Sequence, residues 1–130
     1  MAQRVSFNPP QIYRPATYDH ALRVGDTVYV AGQVARDAEG KLVGPGDARL
    51  QAQQVYHNLG AVLQAAGARP QDVVKITTYL VDPADSAAVT EARLAFFGTH
   101  RPPHTGLIVA ALGGPEVKVE VEVIAVIGGE

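Results

Sequence analysis

The sequence contains no cysteine, which excludes disulfide bonds, thiol nucleophiles, iron–sulfur clusters and cysteine-ligated zinc. It has no apolar run near the roughly 18 residues typical of a membrane span, and its first residues lack the apolar core of a signal peptide. The eleven Lys and Arg residues are spread along the chain and form no basic block. We therefore expect a cytoplasmic protein that binds neither membranes nor nucleic acid.

Motifs of nucleophilic and nucleotide-dependent enzymes are also missing. Serine occurs only as Ser6 and Ser86, and neither lies in the turn that exposes a hydrolase nucleophile. The glycines at 44–46 and 113–114 have neither the spacing of a phosphate loop nor that of a dinucleotide fingerprint. The sequence therefore predicts no nucleotide cofactor.

One pair of histidines has the spacing of a metal site on a helix. His100 and His104 are separated by four positions. Pro102 and Pro103 lie between them and are incompatible with a helix there. We therefore predict no metal site.

The chain has 130 residues, of which 47% are hydrophobic and 18% charged. This composition is sufficient to form a hydrophobic core. No linker or repeat divides it, so residues 1–130 are expected to form a single domain. Alternating or continuous apolar patterns predict strands over residues 4–7, 18–24, 27–34, 73–81, 104–112 and 117–127.

Two segments have helical periodicity. The first begins at Asp47 and ends at Gly67, a residue type that tolerates the left-handed conformation after a helix. The second has Asp82 as its N-cap, Pro83 in its first turn and Gly98 at its end. The predicted buried faces carry Val55, Leu59, Val62, Leu63 and Ala66 in the first helix, and Val89, the stem of Arg93, Phe96 and Phe97 in the second.

This order of elements predicts an α+β fold, with one mixed sheet and both helices on one of its faces. A chain of this length has no third layer to cover the opposite face. That face carries Ile124 and Val126 beside Glu120 and Glu122, so part of it is too apolar to remain in water. Self-association is the simplest way to bury it.

Glu120 is the strongest candidate for acid–base chemistry. On a solvated strand face, Glu120 and Glu122 would be ordinary charges balanced by Lys118. If another subunit buries that face, a carboxylate there acquires partners or a raised pKa, as a general acid or base requires. If the strand that begins at His104 pairs with the last strand through the 113–115 connection, His104 can face Glu120; the alternative is an ordinary histidine at the sheet rim.

Several segments, in order, resemble the RidA/YjgF family, whose members were once described as L-PSP endoribonucleases. They are Tyr18-Asp19-His20-Ala21, Val30-Ala31-Gly32-Gln33, Asp72-Val73-Val74-Lys75 and Val119-Glu120-Val121-Glu122-Val123. The resemblance extends over about residues 16–126. It implies a chorismate-mutase-like α+β fold, assembled as a homotrimer with a cleft at each subunit interface.

The best-studied members of that family hydrolyse imines and enamines such as 2-aminoacrylate to a 2-keto acid and ammonia, without a cofactor. In them a Pro-x-Arg-Ser/Thr motif supplies an arginine that binds the substrate carboxylate through two hydrogen bonds. The matching stretch here is 102–105, and His104 occupies the arginine position. One imidazole, mostly neutral at pH 7, thus replaces a fixed cation. Arg101 lies three residues earlier, beyond two prolines, and cannot simply take its place.

The resemblance assigns the remaining cleft residues by position. Glu120 matches the glutamate thought to position the hydrolytic water, and Thr90 replaces an asparagine of some members. The substrate-binding positions correspond to Tyr18, Gly32, His104, Thr105 and Gly106. Interface packing alone could explain Tyr18, and a strand bulge could explain Gly32.

These observations predict a cofactor-independent deaminase that acts on a small imine or enamine in clefts of a homotrimer. The alternative is a non-catalytic trimer of the same fold that binds or senses a small molecule and lost the chemistry with the arginine. The ribonuclease label of some relatives has less support, because the sequence shows neither a basic groove nor an aromatic stacking strip.

Overall fold

The computed structural model describes residues 3–128. Its two helices are α1 (Ala48–Ala65) and α2 (Ser86–Phe97), with short 3₁₀ turns at Pro70–Asp72 and Pro83–Asp85. Its strands are β1 (Arg4–Phe7), β2 (Ala21–Val24), β3 (Thr27–Gln33), β4 (Val73–Leu80), β5 (His104–Ile108) and β6 (Val119–Val126). The six strands form one sheet in the order β1-β2-β3-β6-β4-β5.

The sheet is mixed, as the sequence predicts. β4 and β5 are parallel, and the other neighbouring strands are antiparallel. The conditional pairing of the strand beginning at His104 with the last strand is wrong, because β5 pairs with β4 and β6 lies between β3 and β4. The physical reason is that α2 forms a crossover after β4 and returns the chain in the same direction, whereas a short connection would favour an antiparallel hairpin.

Both helices pack on one face of the sheet. Val121, Val123 and Ala125 of β6 point toward α1 and are 0–2% exposed. Leu59 and Val62 of α1 are completely buried against that face. Each buried Val or Leu side chain here contributes about 1.5–3 kcal/mol relative to an exposed one. This layer therefore holds the helices on the sheet and fixes which residues of β6 face the other way.

The helix ends lie close to their predicted positions. Asp47 accepts a hydrogen bond from the Leu50 amide at 3.1 Å and caps α1. Asp82 accepts one from the Ala84 amide at 2.9 Å, but it caps the 3₁₀ turn, and α2 itself begins at Ser86. Gly98 has a φ of 62° at the end of α2, a conformation that glycine adopts without a Cβ clash.

The opposite face of the sheet is not covered by any described part of the chain. Glu120 and Glu122 point to this open face, and Tyr29 and Val126 lie on it with 51% and 40% of their surface exposed. An exposed face that combines carboxylates with large apolar side chains is typical of a surface that meets a partner. Within residues 3–128, no helix is long and apolar enough to cross a bilayer.

Candidate functional site

Glu120 packs directly against the backbone of Gly32. The pairing of β3 with β6 shifts register between Val30 and Gln33, so Gly32 lies in a bulge. A Cβ at Gly32 would lie 2.4 Å from Glu120 Oε2 and 2.9 Å from its Cγ. Only glycine leaves room for the carboxylate in this position, which gives both the bulge and the glycine a role in placing Glu120.

The surroundings of Glu120 favour its protonated form. Partial burial, followed by the negative charge of Glu122, raises the pKa of the Glu120 carboxyl above its usual range. Glu122 itself accepts a hydrogen bond from the Tyr79 hydroxyl at 2.5 Å. A carboxylate with a raised pKa binds a proton more readily near neutral pH, which is what a general base needs.

A buried histidine joins this bulge to the preceding loop. His20 is completely buried, and its Nε2 donates to the Tyr13 carbonyl oxygen at 2.7 Å. Gln33 Nε2 donates to His20 Nδ1 at 3.1 Å, which assigns the neutral tautomer protonated at Nε2. Burial lowers the pKa of His20, so the imidazole stays neutral. The network fixes the loop that carries Tyr18 against the strand that carries Gly32.

Tyr18 is half exposed beside this network. Burial, together with the neighbouring Tyr18 and Glu120, raises the pKa of Tyr13 to about 12. A cleft of about 410 Å³ opens here, and Tyr13, Tyr18, Arg14 and Arg36 are among its lining residues. Gly32 lies against Glu120, and Tyr18 and Glu120 both lie close enough to Tyr13 to influence its pKa, whereas the cleft itself is lined by Tyr18 but not by Gly32 or Glu120.

His104 lies in a second cleft, on the helix-covered side of the sheet. Its Nε2 is 2.9 Å from Thr78 Oγ1 and 2.9 Å from Arg93 Nη1 of α2. The cleft has a volume of about 310 Å³, and its lining includes Thr90 and Gly106. Partial burial, and then the positive charges of Arg93 and Lys75, lower the pKa of His104. The imidazole is therefore neutral at physiological pH and accepts hydrogen bonds through Nε2.

The expected meeting of His104 and Glu120 within one chain does not occur. His104 pairs in register with Ile76, whose side chain points to the helices, whereas Glu120 points to the open face. Thr105 lies on the open side as well, where its hydroxyl accepts a hydrogen bond from Lys75 Nζ at 2.5 Å. The predicted residues thus form two groups on opposite faces of the sheet.

Sequence reasoning missed two residues that define these groups. Arg93 is expected only as an apolar stem in the helix stripe, yet its guanidinium lies at the His104 ring. His20 occurs in a family-like segment but has no predicted role, although it holds the Tyr18 loop in place. Among residues 3–128, no three His, Asp or Glu side chains are arranged to hold a metal ion.

Comparisons with known proteins agree with this fold. The profile of the family described as Endoribonuclease L-PSP matches residues 11–127. The chain belongs to this family, the RidA/YjgF family.

Three relatives illustrate the similarity. A RutC family protein of Pyrococcus abyssi is 36% identical over 125 residues, which are 96% of this chain and 98% of the relative. The mouse (Mus musculus) 2-iminobutanoate/2-iminopropanoate deaminase is 40% identical over 112 residues, 85% of this chain and 82% of the relative. The crystal structure of RidA from an Antarctic Psychrobacter superposes with a TM-score of 0.86 at 34% identity and covers 94% of this chain and 98% of that one.

Proposed function

We propose that the protein hydrolyses short 2-imino acids to 2-keto acids and ammonia, without a cofactor. The observation that carries this proposal is the Glu120 carboxylate, held against Gly32 with a raised pKa. The name of the mouse relative, at 40% identity, supports this substrate class. The proposal that 2-iminobutanoate and imines derived from 2-aminoacrylate are substrates rests on the similarity to this deaminase family.

The reaction needs one proton acceptor and one water molecule. Glu120 takes a proton from water while the water oxygen bonds to the imine carbon. Glu120 returns this proton to the nitrogen, and the second proton of the water follows from the new hydroxyl group. The carbon–nitrogen bond then breaks, and ammonia leaves as the keto group forms. Imines hydrolyse readily in water, so the residues supply only a modest reduction of the barrier, mainly by positioning.

The proposal includes a homotrimer in which adjacent subunits complete each cleft. Tyr18, Gly32 and Glu120 would come from one subunit, and His104 with Gly106 from its neighbour. The separation of these groups on opposite faces of one sheet supports this arrangement, because a small substrate cannot touch both within one chain. The exposed Tyr29 and Val126 on the open face support association through that face. Thr105, bound by Lys75, lies at the edge of the same face.

The test is the variant Glu120→Gln, assayed for ammonia release from 2-iminobutanoate generated in the cuvette by an amino acid oxidase. Loss of a general base lowers turnover by about 10² to 10⁴. The melting temperature should not fall, because the folded state already favours the uncharged form of this side chain. Glu91→Gln is the control, since Glu91 is exposed and pairs with Arg49 at 2.6 Å, away from both clefts.

Sedimentation of both variants should give about three times the chain mass. Turnover that survives Glu120→Gln with every imine tested would contradict the catalytic role. The protein would then be better described as a trimer that binds a small molecule without converting it, which is the second candidate favoured by the replacement of the family arginine with His104.

A further inference from the structure

Helix α2 lines the cleft at His104 with one continuous face. Ser86, Val89, Thr90 and Arg93 follow the i, i+3, i+4, i+7 spacing and all border the cleft. Arg93 is the last of them, and its guanidinium reaches the His104 ring at the edge of the sheet. The cleft therefore contains a permanent cation contributed by helix α2, the element that directly precedes the motif at 102–105 in the chain.

No carboxylate neutralises this cation in the described part of the chain. The ion pairs formed there join Arg23, Arg49, Arg69 and Lys118 to acidic residues, and none includes Arg93. Arg93 donates to the His104 ring, with Nη1 2.9 Å from Nε2. A guanidinium has five N–H donors arranged as a planar fork, so most of its donors remain available to a bidentate anion.

We propose that Arg93 is the carboxylate-binding residue of this cleft and that His104 positions its guanidinium. The proposal rests on the proposed function only in that the carboxylate is taken to belong to a 2-imino acid. An arginine fork matches a carboxylate with two parallel hydrogen bonds. The strand position has lost its arginine, and the helix supplies one to the same cleft from the opposite wall.

His104 can hold the guanidinium only while its ring is neutral. Nε2 then accepts a hydrogen bond from Arg93 Nη1 at 2.9 Å, and the Thr78 hydroxyl oxygen lies 2.9 Å from the same nitrogen. The charged groups facing the ring are Arg93 from α2 and Lys75 from β4, and both oppose its protonation. The anion therefore meets a guanidinium charge that does not titrate near neutral pH, and its affinity should be level over the pH range in which His104 is neutral.

The rest of the cleft fits a small 2-imino or 2-keto acid. Its volume is about 310 Å³, and Leu80, Val89 and Ile108 form an apolar wall. The hydroxyls of Thr78 and Thr90 border the same space. A carboxylate at Arg93 would leave a short alkyl chain against the apolar wall, with the reacting carbon toward the cleft mouth.

The test compares two probes with the same shape and different charge, 2-oxobutanoate and 2-oxobutanamide, titrated by calorimetry into the full-length protein. Arg93→Gln should weaken 2-oxobutanoate about 10- to 100-fold, as expected for a lost charge-assisted pair, and leave the amide unchanged. Arg93→Lys should restore part of the affinity. Arg101→Gln removes the same charge from a side chain that binds the His100 carbonyl oxygen, and should change neither affinity.

Affinity for 2-oxobutanoate should be level between about pH 6 and 8, because arginine does not titrate there. A fall of about tenfold per pH unit above the histidine pKa would overturn the proposal and assign the anion to protonated His104. It would equally be overturned if Arg93→Gln weakened both probes alike or neither, or if the unmodified protein bound no 2-oxobutanoate.

Ammonia release separates this proposal from the function on which it rests. Suppose that the unmodified protein releases no ammonia but prefers 2-oxobutanoate to 2-oxobutanamide, and that Arg93→Gln abolishes this preference. The anion site would then be present without deaminase activity. If the unmodified protein and Arg93→Gln release ammonia with the same KM and kcat, the proposed function stands and the role of Arg93 is refuted.

Discussion

Replacing Gly32 with alanine tests whether the position of the Glu120 carboxylate matters for catalysis. Gly32 does not have a positive φ, so the backbone accepts alanine without strain. The added methyl group would, however, lie 2.4 Å from Glu120 Oε2 and 2.7 Å from its Cδ. The variant therefore perturbs one side chain and leaves its chemistry intact, unlike Glu120→Gln.

The size of the effect follows from these distances. Ordinary contact begins at about 3.4 Å, so the carboxylate must retreat by about 1 Å or change rotamer. The carboxylate is the far end of the flexible Glu120 side chain, so the fold tolerates its movement and the free energy of unfolding should change little. Misplacing a reacting group by about 1 Å can lower the rate about 100-fold. We expect a loss of that order in kcat, with no change in the oligomeric state.

The assay is ammonia release from 2-iminobutanoate, with thermal unfolding measured on the same preparation. Gly60→Ala is the matched control, because its methyl group would meet Phe96 at 3.4 Å, an ordinary contact, inside α1. That control should keep full activity and gain up to about 1 kcal/mol in stability from helix propensity. A Gly32→Ala variant with unchanged kcat would show that the placement of Glu120 against the bulge is not needed for turnover.

Two further predictions concern pH. The charge of Glu122 contributes to the raised pKa of Glu120, so Glu122→Gln should move the acid limb of the kcat/KM profile to lower pH; an unmoved limb would contradict Glu120 as the titrating base. Burial lowers the pKa of His20, so the stability it provides is complete above its unfolded value of about 6.5 and is lost as the pH falls through the lowered pKa. The melting temperature should therefore decline as the pH falls below the unfolded histidine pKa of about 6.5, and a melting temperature that stays constant there would refute this role of His20.

Local patterns were sufficient to predict most of the fold. The alternation along β6 and the cap at Asp47 are signals contained within a few residues, and they match the observed elements. Asp82 caps the 3₁₀ turn that precedes α2 and not α2 itself. The strand predicted over 104–112 ends at Ile108, because parallel pairing with β4 stops where β4 stops. Strand order is a property of distant segments, so periodicity alone could not place β6 between β3 and β4.

The site was predictable only where a motif carries it. Glu120, Gly32 and Tyr18 could be proposed because they occur in family-like segments, and in the structure Gly32 lies against Glu120 while Tyr18 and Glu120 both lie near Tyr13. Arg93 belongs to no sequence motif. Arginines whose apolar stem packs along a helix are common, so nothing in this pattern marks Arg93 as functional. A signal was nevertheless present, because Arg93 lies three residues, nearly one helical turn, after Thr90, the position at which the family resemblance notes an asparagine in some members.

The arrangement of the two clefts explains why an ionisable side chain occupies an otherwise association-prone surface. The folded state favours the protonated form of Glu120, so its charge opposes stability at neutral pH and packing alone does not account for it. Arg93 lies across the sheet, on the helix-covered side, and one chain cannot apply both groups to one small substrate. In the proposed trimer, the open face would bring the carboxylate of one subunit to the cation of another, so association and catalysis would depend on the same surface.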